Sequence, residues 1–286
     1  MRFYTPLRYP GGKGKLSYYV KSLLDENSIT DGYYVEPYAG GAAIAIDLLM
    51  NEYVRNVIIN DADPAVYSFW HSVINDTDAL CSMIETCSVT MDTWYQQKDI
   101  INSSDIKSPL ELGFAAFFLN RTNRSGILKA GVIGGKEQLG DWKMDVRFNK
   151  VDLISRIRAI SNYRNRIKAT NLDAAILLSN IKDVTSGSDN LLVYLDPPYY
   201  VKGQDLYRNY YEHEDHVNVK NALCQSGIKN WLVSYDNAEE IKKIYEPFRQ
   251  AEYSLSYTAQ SKRVGEEVMI FSDSLIIPSV NLGKAA

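Results

Sequence analysis

The chain has 286 residues, enough for one large fold carrying an embedded subdomain. Its 45% hydrophobic and 23% charged residues are ordinary for a soluble globular protein, and no run of 18 apolar residues offers a membrane span. A net charge of −4 excludes a surface coated in basic residues, and the N-terminus without an apolar leader, with three cysteines (Cys81, Cys87, Cys224) lacking a disulfide pattern, leads us to expect a cytoplasmic protein.

In chain order, Gly32 to Glu36 reads as a short strand running into a glycine turn, followed by a helix from about Ala42 to Asn51. Val57 to Asp61 reads as a second strand with acid at its carboxyl end. From Tyr67 to Leu178 the pattern is mainly helical. Within it, residues 121–168 hold twelve Lys or Arg against four acids, so this segment is +8 while the remainder is −12. Such a concentration suits a surface that tracks phosphates, because affinity for a polyanion follows local charge; a solvated helix face is the alternative. Gly126, Gly131, Gly134, Gly135 and Gly140 predict a basic hairpin or loop, and Val151, Ile154, Ile157 and Ile160 predict a helix with its basic residues outward. Leu191 to Leu195 and Asn230 to Tyr235 are apolar runs suited to buried parallel strands, and Ala251 to Tyr257 with Glu267 to Phe271 predict an antiparallel edge pair. The expected architecture is α/β, with a sheet from residues 1–70 and 176–286 and a helical insertion over 71–175.

Three motifs carry chemistry. Asp196-Pro197-Pro198-Tyr199 ends a strand, where open α/β sheets place ligands. An amino group conjugated to a ring is a poor nucleophile, and acceptors for its two protons favour a tetrahedral nitrogen; the Asp196 carboxylate and the Pro197 carbonyl can supply them, with Tyr199 as a stacking surface. Glu36-Pro37-Tyr38-Ala39-Gly40-Gly41 follows the first strand, and Asp61 lies twenty-five residues after Glu36, close to the spacing at which an acid meets a ribose. No G-x-G-x-x-G is present, which argues against a dinucleotide. The third run, Tyr9-Pro10-Gly11-Gly12-Lys13, lacks the glycine and the Ser or Thr of a P-loop, which excludes triphosphate hydrolysis.

In this order the three motifs resemble the Dam-like, D12 class (alpha group) adenine-specific DNA methyltransferases over nearly the whole chain. The resemblance implies a Rossmann-like S-adenosylmethionine-dependent methyltransferase sheet and transfer of a methyl group to adenine N6 in double-stranded DNA at a short recognition sequence. It implies that Tyr9, Lys13, Asp61 and Asp196 contact S-adenosyl-L-methionine, that Glu36, Tyr38 and Gly40 shape its pocket, and that Asp196, Pro197 and Tyr199 hold the adenine. Leu119-Asn120-Arg121 followed by Gly126 resembles the family's run into a DNA-contacting hairpin, making Arg121, Arg124, Ser125 and Lys129 the candidate DNA-binding residues. Many members carry an aromatic and an Asn before that glycine; here Arg124 and Ser125 stand there, and Arg124 is assigned to a phosphate or a guanine edge. Tyr257-Thr258-Ala259, Arg263 and Glu267-Val268 resemble the final hairpin and are read as structural.

His213-Glu214-Asp215-His216 lacks companion ligands and is read as a solvated loop or helix start, so no metal is expected. The alternatives are N4-cytosine methylation, for which the family uses Ser in place of the first Asp, an RNA target, or a silent DNA-binding protein. A cognate restriction endonuclease acting separately is an expected partner in a restriction-modification setting, and a single-base target suits a monomer.

Overall fold

The computed structural model describes residues 4–9, 12–103, 105, 107–201, 211–258 and 262–283, with side chains throughout except in 256–264. One 7-stranded sheet organises the chain: β1 Tyr33–Glu36, β2 Asn56–Asn60, β3 Ile167–Thr170, β4 Leu191–Leu195, β5 Trp231–Asp236, β6 Arg249–Thr258 and β7 Lys262–Phe271. The order is β3-β2-β1-β4-β5-β7-β6. Strands β1 to β5 run parallel, and β7 enters antiparallel between β5 and β6. Chain order reverses at β1 and β4, so a crevice opens at their carboxyl ends. This is the Rossmann-like arrangement expected.

Successive side chains on a strand face opposite ways, and here both faces are covered. Tyr34, Val57, Ile59 and Leu192 belong to one apolar cluster, Val35, Ile58, Leu191 and Val193 to the other. The helices Ala174–Ser179, Ile181–Val184, His213–Gln225 and Glu239–Ile244 cover the second face through Leu177, Ile181, Leu223 and Ile241. Helices α1 (Ser17–Glu26), α2 (Ala43–Met50), α3 (Pro64–Asn75), α4 (Thr77–Thr86), α5 (Met91–Asn102), α6 (Pro109–Thr122) and α7 (Lys150–Ser161) gather on the first. Their starts are written in the sequence. Asp63 accepts the Ala65 N–H at 2.9 Å with Pro64 at the first helical position, and Ser108 with Glu111 forms a capping box ahead of α6.

Among the described residues, the helices between β2 and β3 pack into the same core as the sheet. Phe69, Phe117, Phe148 and Leu153 share one apolar cluster with Tyr34 and Ile59 of the sheet. Phe69 and Phe117 stack with centroids 5.7 Å apart, and α3 meets α6 so closely that a Cβ on Gly113 would lie 2.5 Å from the Ser68 carbonyl oxygen.

Three expectations are corrected. Ile167–Thr170, inside the 71–175 segment expected to be helical, is β3 and pairs with β2; four residues of half-buried edge strand carry too little periodicity to stand out. The inward face of α7 is Leu153, Ile157 and Ile160, and Val151 is 81% exposed. The glycine-rich segment is not a hairpin: among the described residues its pairing is one isolated bridge, Asn123 with Val132. Nor are all its neighbouring cations displayed to solvent partners. Lys150 donates to the Glu85 and Cys87 carbonyls, Arg156 pairs with Asp152, Arg158 with Asp78 and Arg166 with Glu52.

Gly113→Ala should destabilise the protein by about 1–3 kcal/mol, the usual cost of overpacking a helix contact, read as a lowered melting temperature. An unchanged melting temperature would mean that α3 and α6 can part freely.

Candidate active site

At the crevice, Asn60 ties three strand ends together. Its amide donates to the Pro37 and Leu172 carbonyls, both at 2.9 Å, and its oxygen accepts from Thr170 Oγ1 at 2.8 Å and Leu172 N at 2.9 Å. Every hydrogen-bonding position of this fully buried amide is therefore satisfied by the fold. Next to it, partly buried Asp61 accepts from Gly40 N and Asp63 N, each at 2.9 Å, and Trp70 Nε1 donates to the Gly40 carbonyl at 2.9 Å. Gly40 has φ +46°, and a Cβ there would lie 2.8 Å from the Tyr9 ring, so only glycine fits beneath Tyr9. Burial pushes the Asp61 carboxyl up to about 7 against these two backbone bonds.

Glu36 does a different job from the one its motif suggests. Helix α2 is preceded by Ala42, which has no capping side chain, and Glu36 Oε1 accepts the Ala45 N–H at 3.0 Å in its place. The carboxyl is buried, and that burial raises it to about 8, with Asp196 adding to the rise. Half-buried Tyr38 meets Tyr211, hydroxyl to hydroxyl, at 3.1 Å.

The Asp196-Pro197-Pro198-Tyr199 turn is held by a buried ion cluster. Lys13, 4% exposed on the single turn Lys13–Leu16, places Nζ 3.2 Å from Asp196 Oδ1, 3.2 Å from Glu267 Oε1 and 2.9 Å from the Tyr199 hydroxyl. The Tyr199 hydroxyl donates to Glu267 Oε1 at 2.7 Å, and Tyr253 donates to Glu267 Oε2. Ser234 Oγ donates to Asp196 Oδ1 at 2.8 Å. The Asp196 carboxyl is raised by burial and by Glu267, and lowered by Lys13. Asp236, at the end of β5, accepts the N–H groups of Tyr200 at 2.8 Å and Val201 at 2.9 Å, fixing the turn's exit.

Tyr199 is thus turned inward, 9% exposed, beside Lys13, whose Nζ is 4.9 Å from its ring centre. Ser234, Asp236, Tyr253 and Glu267 were not assigned to the site by their motifs; Glu267 was read as structural and instead joins the cluster. A buried acid inside an apolar strand, Glu267-Val268-Met269-Ile270, was the available signal. Of the final hairpin, Ala259 lies outside the described residues.

The four candidate DNA-binding residues divide. Arg124 and Lys129 are exposed. Arg121 is half-buried and donates Nε to the Arg147 carbonyl at 3.0 Å; burial, with Arg8, Arg156 and Arg147 nearby, lowers its guanidinium to about 10. Ser125 takes φ +57° in the turn before Gly126. Asn120 accepts the Arg8 N–H at 2.8 Å and donates to its carbonyl at 2.7 Å, which joins α6 to the residue preceding Tyr9. His216 is fully buried, 3.0 Å from the Tyr235 hydroxyl, and burial lowers it to about 4. It is a core residue of the helix His213–Gln225 rather than a solvated one, and no metal-holding group occurs among the described residues. Among those residues, no helix is long and apolar enough to cross a membrane.

The family model described as D12 class N6 adenine-specific DNA methyltransferase matches residues 9–259. The type II methyltransferase M.CviBI of Paramecium bursaria Chlorella virus NC1A is 23% identical over 242 residues, covering 82% of this chain and 85% of that protein. The type II methyltransferase M.MjaIII of Methanocaldococcus jannaschii is 24% identical over 268 residues, covering 85% and 88%. Among solved structures, the rRNA methyltransferase aviRa of Streptomyces viridochromogenes aligns over 92% of this chain and 86% of its own, with 13% identity and a TM-score of 0.41.

Because Glu36 is raised to about 8, the folded protein keeps a proton that the unfolded chain releases above 4.5. Its contribution to stability is full below that value and declines as pH rises toward 8. Glu36→Gln should flatten part of the fall in melting temperature between pH 5 and 8; an equally steep fall would show that this carboxyl ionises at no cost in the fold. Glu267→Gln, which removes one of two carboxylates at Lys13, should cost about 1.5–3 kcal/mol in chemical denaturation, the range for hydrogen bonds to charged groups. No loss would place Glu267 outside the cluster's energetics.

Proposed function

Since the chain belongs to the D12 class N6 adenine-specific DNA methyltransferase family, we propose that its crevice binds S-adenosylmethionine beside a target adenine taken out of a DNA duplex at a short recognition sequence. Adenine methylation of DNA is the family's reaction; the roles of individual residues are the proposal. The observation that carries it is the Lys13–Asp196 pair at 3.2 Å at the mouth of the sheet's reversal point.

The residues on the cofactor side fit a nucleoside. Gly40 offers backbone without a side chain under Tyr9, and the Asp61 carboxyl that accepts its N–H suits ribose hydroxyls. Tyr38 walls the pocket, and Glu36 acts through the start of α2. When bound, S-adenosylmethionine supplies an electrophilic sulfonium methyl. No metal enters the proposal.

On the substrate side, Lys13 and Ser234 both engage Asp196 Oδ1, which fixes the carboxyl while leaving its side chain 22% exposed. Asp196 and the Pro197 carbonyl accept the two adenine amino protons and stabilise the positive charge that develops on N6. Tyr199, pinned by Glu267, forms the inner wall against which the base rests. Preorganisation is what these contacts contribute, because none has to rearrange as charge develops.

The sheet is assigned the chemistry and the helical insertion, ending before β3, the reading of DNA. Arg124 and Lys129 contact the duplex; Arg121 supports the turn from within. A cytoplasmic monomer acting on double-stranded DNA, with a cognate endonuclease acting separately, completes the reading.

The test is sequencing of modified bases in DNA from a methylation-deficient bacterium expressing the protein. N6-methyladenine at one short motif is the expected result, and Asp196→Ala should abolish it while duplex binding persists. Methylated cytosine N4, or near-normal turnover of Asp196→Ala, would overturn the assignment.

A further inference from the structure

The run His213-Glu214-Asp215-His216 has no part in the chemistry above, yet it carries a buried imidazole beside the exit of the Asp196–Tyr199 turn. His216 is 0% exposed, and burial lowers it to about 4, so it is uncharged at neutral pH. Its Nδ1 lies 3.0 Å from the Tyr235 hydroxyl, whereas Nε2, also buried, meets no hydrogen-bond partner. A buried polar atom without a partner costs stability, and a hydrocarbon side chain of similar size would avoid that cost. Packing by itself therefore does not account for an imidazole here.

The helix that bears it starts in a fixed place. Glu212 and Asp215 form a capping box, with Glu212 N donating to Asp215 Oδ2 at 2.8 Å. His213 and His216, three positions apart, share one helix face, and both meet Tyr200, the residue that follows the Asp196–Tyr199 turn. The Tyr200 hydroxyl is 3.1 Å from His213 Nδ1, and its ring centre is 5.2 Å from that of His216.

Two further rings close around the same imidazole. Tyr211 stands edge-on with ring centres 5.4 Å apart, and its hydroxyl meets that of Tyr38, in the Glu36–Gly41 motif, at 3.1 Å. Tyr235 is edge-on at 5.4 Å and belongs to the cluster on the second face of the sheet. Its neighbours on β5 both hold the turn: Ser234 donates to Asp196 Oδ1 at 2.8 Å, and Asp236 accepts Tyr200 N and Val201 N at 2.8 and 2.9 Å. Successive strand residues face opposite ways, so a grip on Tyr235 from behind fixes how Ser234 and Asp236 are presented. One imidazole thus meets rings at the ends of β4 and β5 and, through Tyr211, the residue Tyr38 beyond the end of β1.

We infer that His216 is a positioning residue for methyl transfer: through Tyr200, Tyr211 and Tyr235 it sets the Asp196 turn, which holds the methyl acceptor, against Tyr38, which walls the pocket of the donor. The inference rests on the assignment of those two motifs to adenine and to S-adenosylmethionine. His216 is sealed from solvent and acts through the tyrosines. Misplacing donor and acceptor by about 1 Å can lower a rate about a hundred-fold, so a residue remote from the reacting atoms can govern the step.

The test compares two amides at this position. Asn puts a polar atom where histidine has Nδ1, and Gln puts one where it has Nε2. Methyl transfer is followed in a single turnover on a duplex oligonucleotide carrying the methylated motif, with S-adenosylmethionine affinity from calorimetry and duplex affinity from anisotropy on the same proteins. His216→Leu should slow the transfer step roughly ten- to a hundred-fold with both affinities close to wild type. His216→Asn should recover most of the rate, and His216→Gln should not; this contrast stands even if His216→Leu does not fold. A wild-type rate in His216→Leu, or recovery by Gln in place of Asn, overturns the positioning role alone. So does a parallel loss of rate, both affinities and melting temperature in every variant, the pattern of a core residue. A wild-type protein that methylates no duplex removes the methylation reading, and the positioning role with it.

Discussion

An ammonium group cannot be taken out of water unless carboxylates and hydroxyls come with it, and the buried charge of Lys13 draws three remote parts of the chain to one point. The turn at Lys13 brings the cation, the end of β4 brings Asp196 and Tyr199, and β7 brings Glu267. Asp196 and Glu267 alone, both negative and close, would repel; with Lys13 between them each has a partner at 3.2 Å. The Asp196–Tyr199 turn is held because its neighbours are committed electrostatically, and the antiparallel strand β7, inserted between β5 and β6, becomes part of the cluster.

A second set of polar contacts decides how the crevice is shaped. Asn60 spends all four hydrogen-bonding positions holding the ends of β1, β2 and β3 in register, which frees Asp61 to brace the Gly40 turn. Glu36 steadies the helix that follows. The motif residues thus form two layers, one facing the crevice and one supporting it. The paired hydrogen bonds between Arg8 and Asn120 then couple this crevice to α6, so the segment that bears Tyr9 and Lys13 is tied to the helices between β2 and β3.

Charge in that insertion is less available than its composition suggests. Its +8 excess includes Arg158, Arg166 and Lys150, which are engaged by acids or helix-end carbonyls elsewhere in the fold. Among the cations left outward are Lys136, Arg164 and Lys168, and also Arg124 and Lys129, which lie beside a braced loop that exposes an indole. A protein of net charge −4 can meet a polyanion in this way because the encounter is decided over a few ångströms of surface.

The sequence by itself determined the strands whose both faces are buried, since continuous runs such as Leu191 to Leu195 have no other stable placement, and it determined the motif residues at their carboxyl ends. It also fixed the helix starts at Pro64 and Pro109, where the capping chemistry is local. Tertiary structure alone decided the rest. β3 is a short edge strand recognised by its partner, Val151 faces out because the core selected Leu153, and Tyr199 points inward because Glu267, sixty-eight residues away, accepts its hydroxyl hydrogen bond. The partner of a buried charge is a matter of distance in space, and a sequence records only distance along the chain.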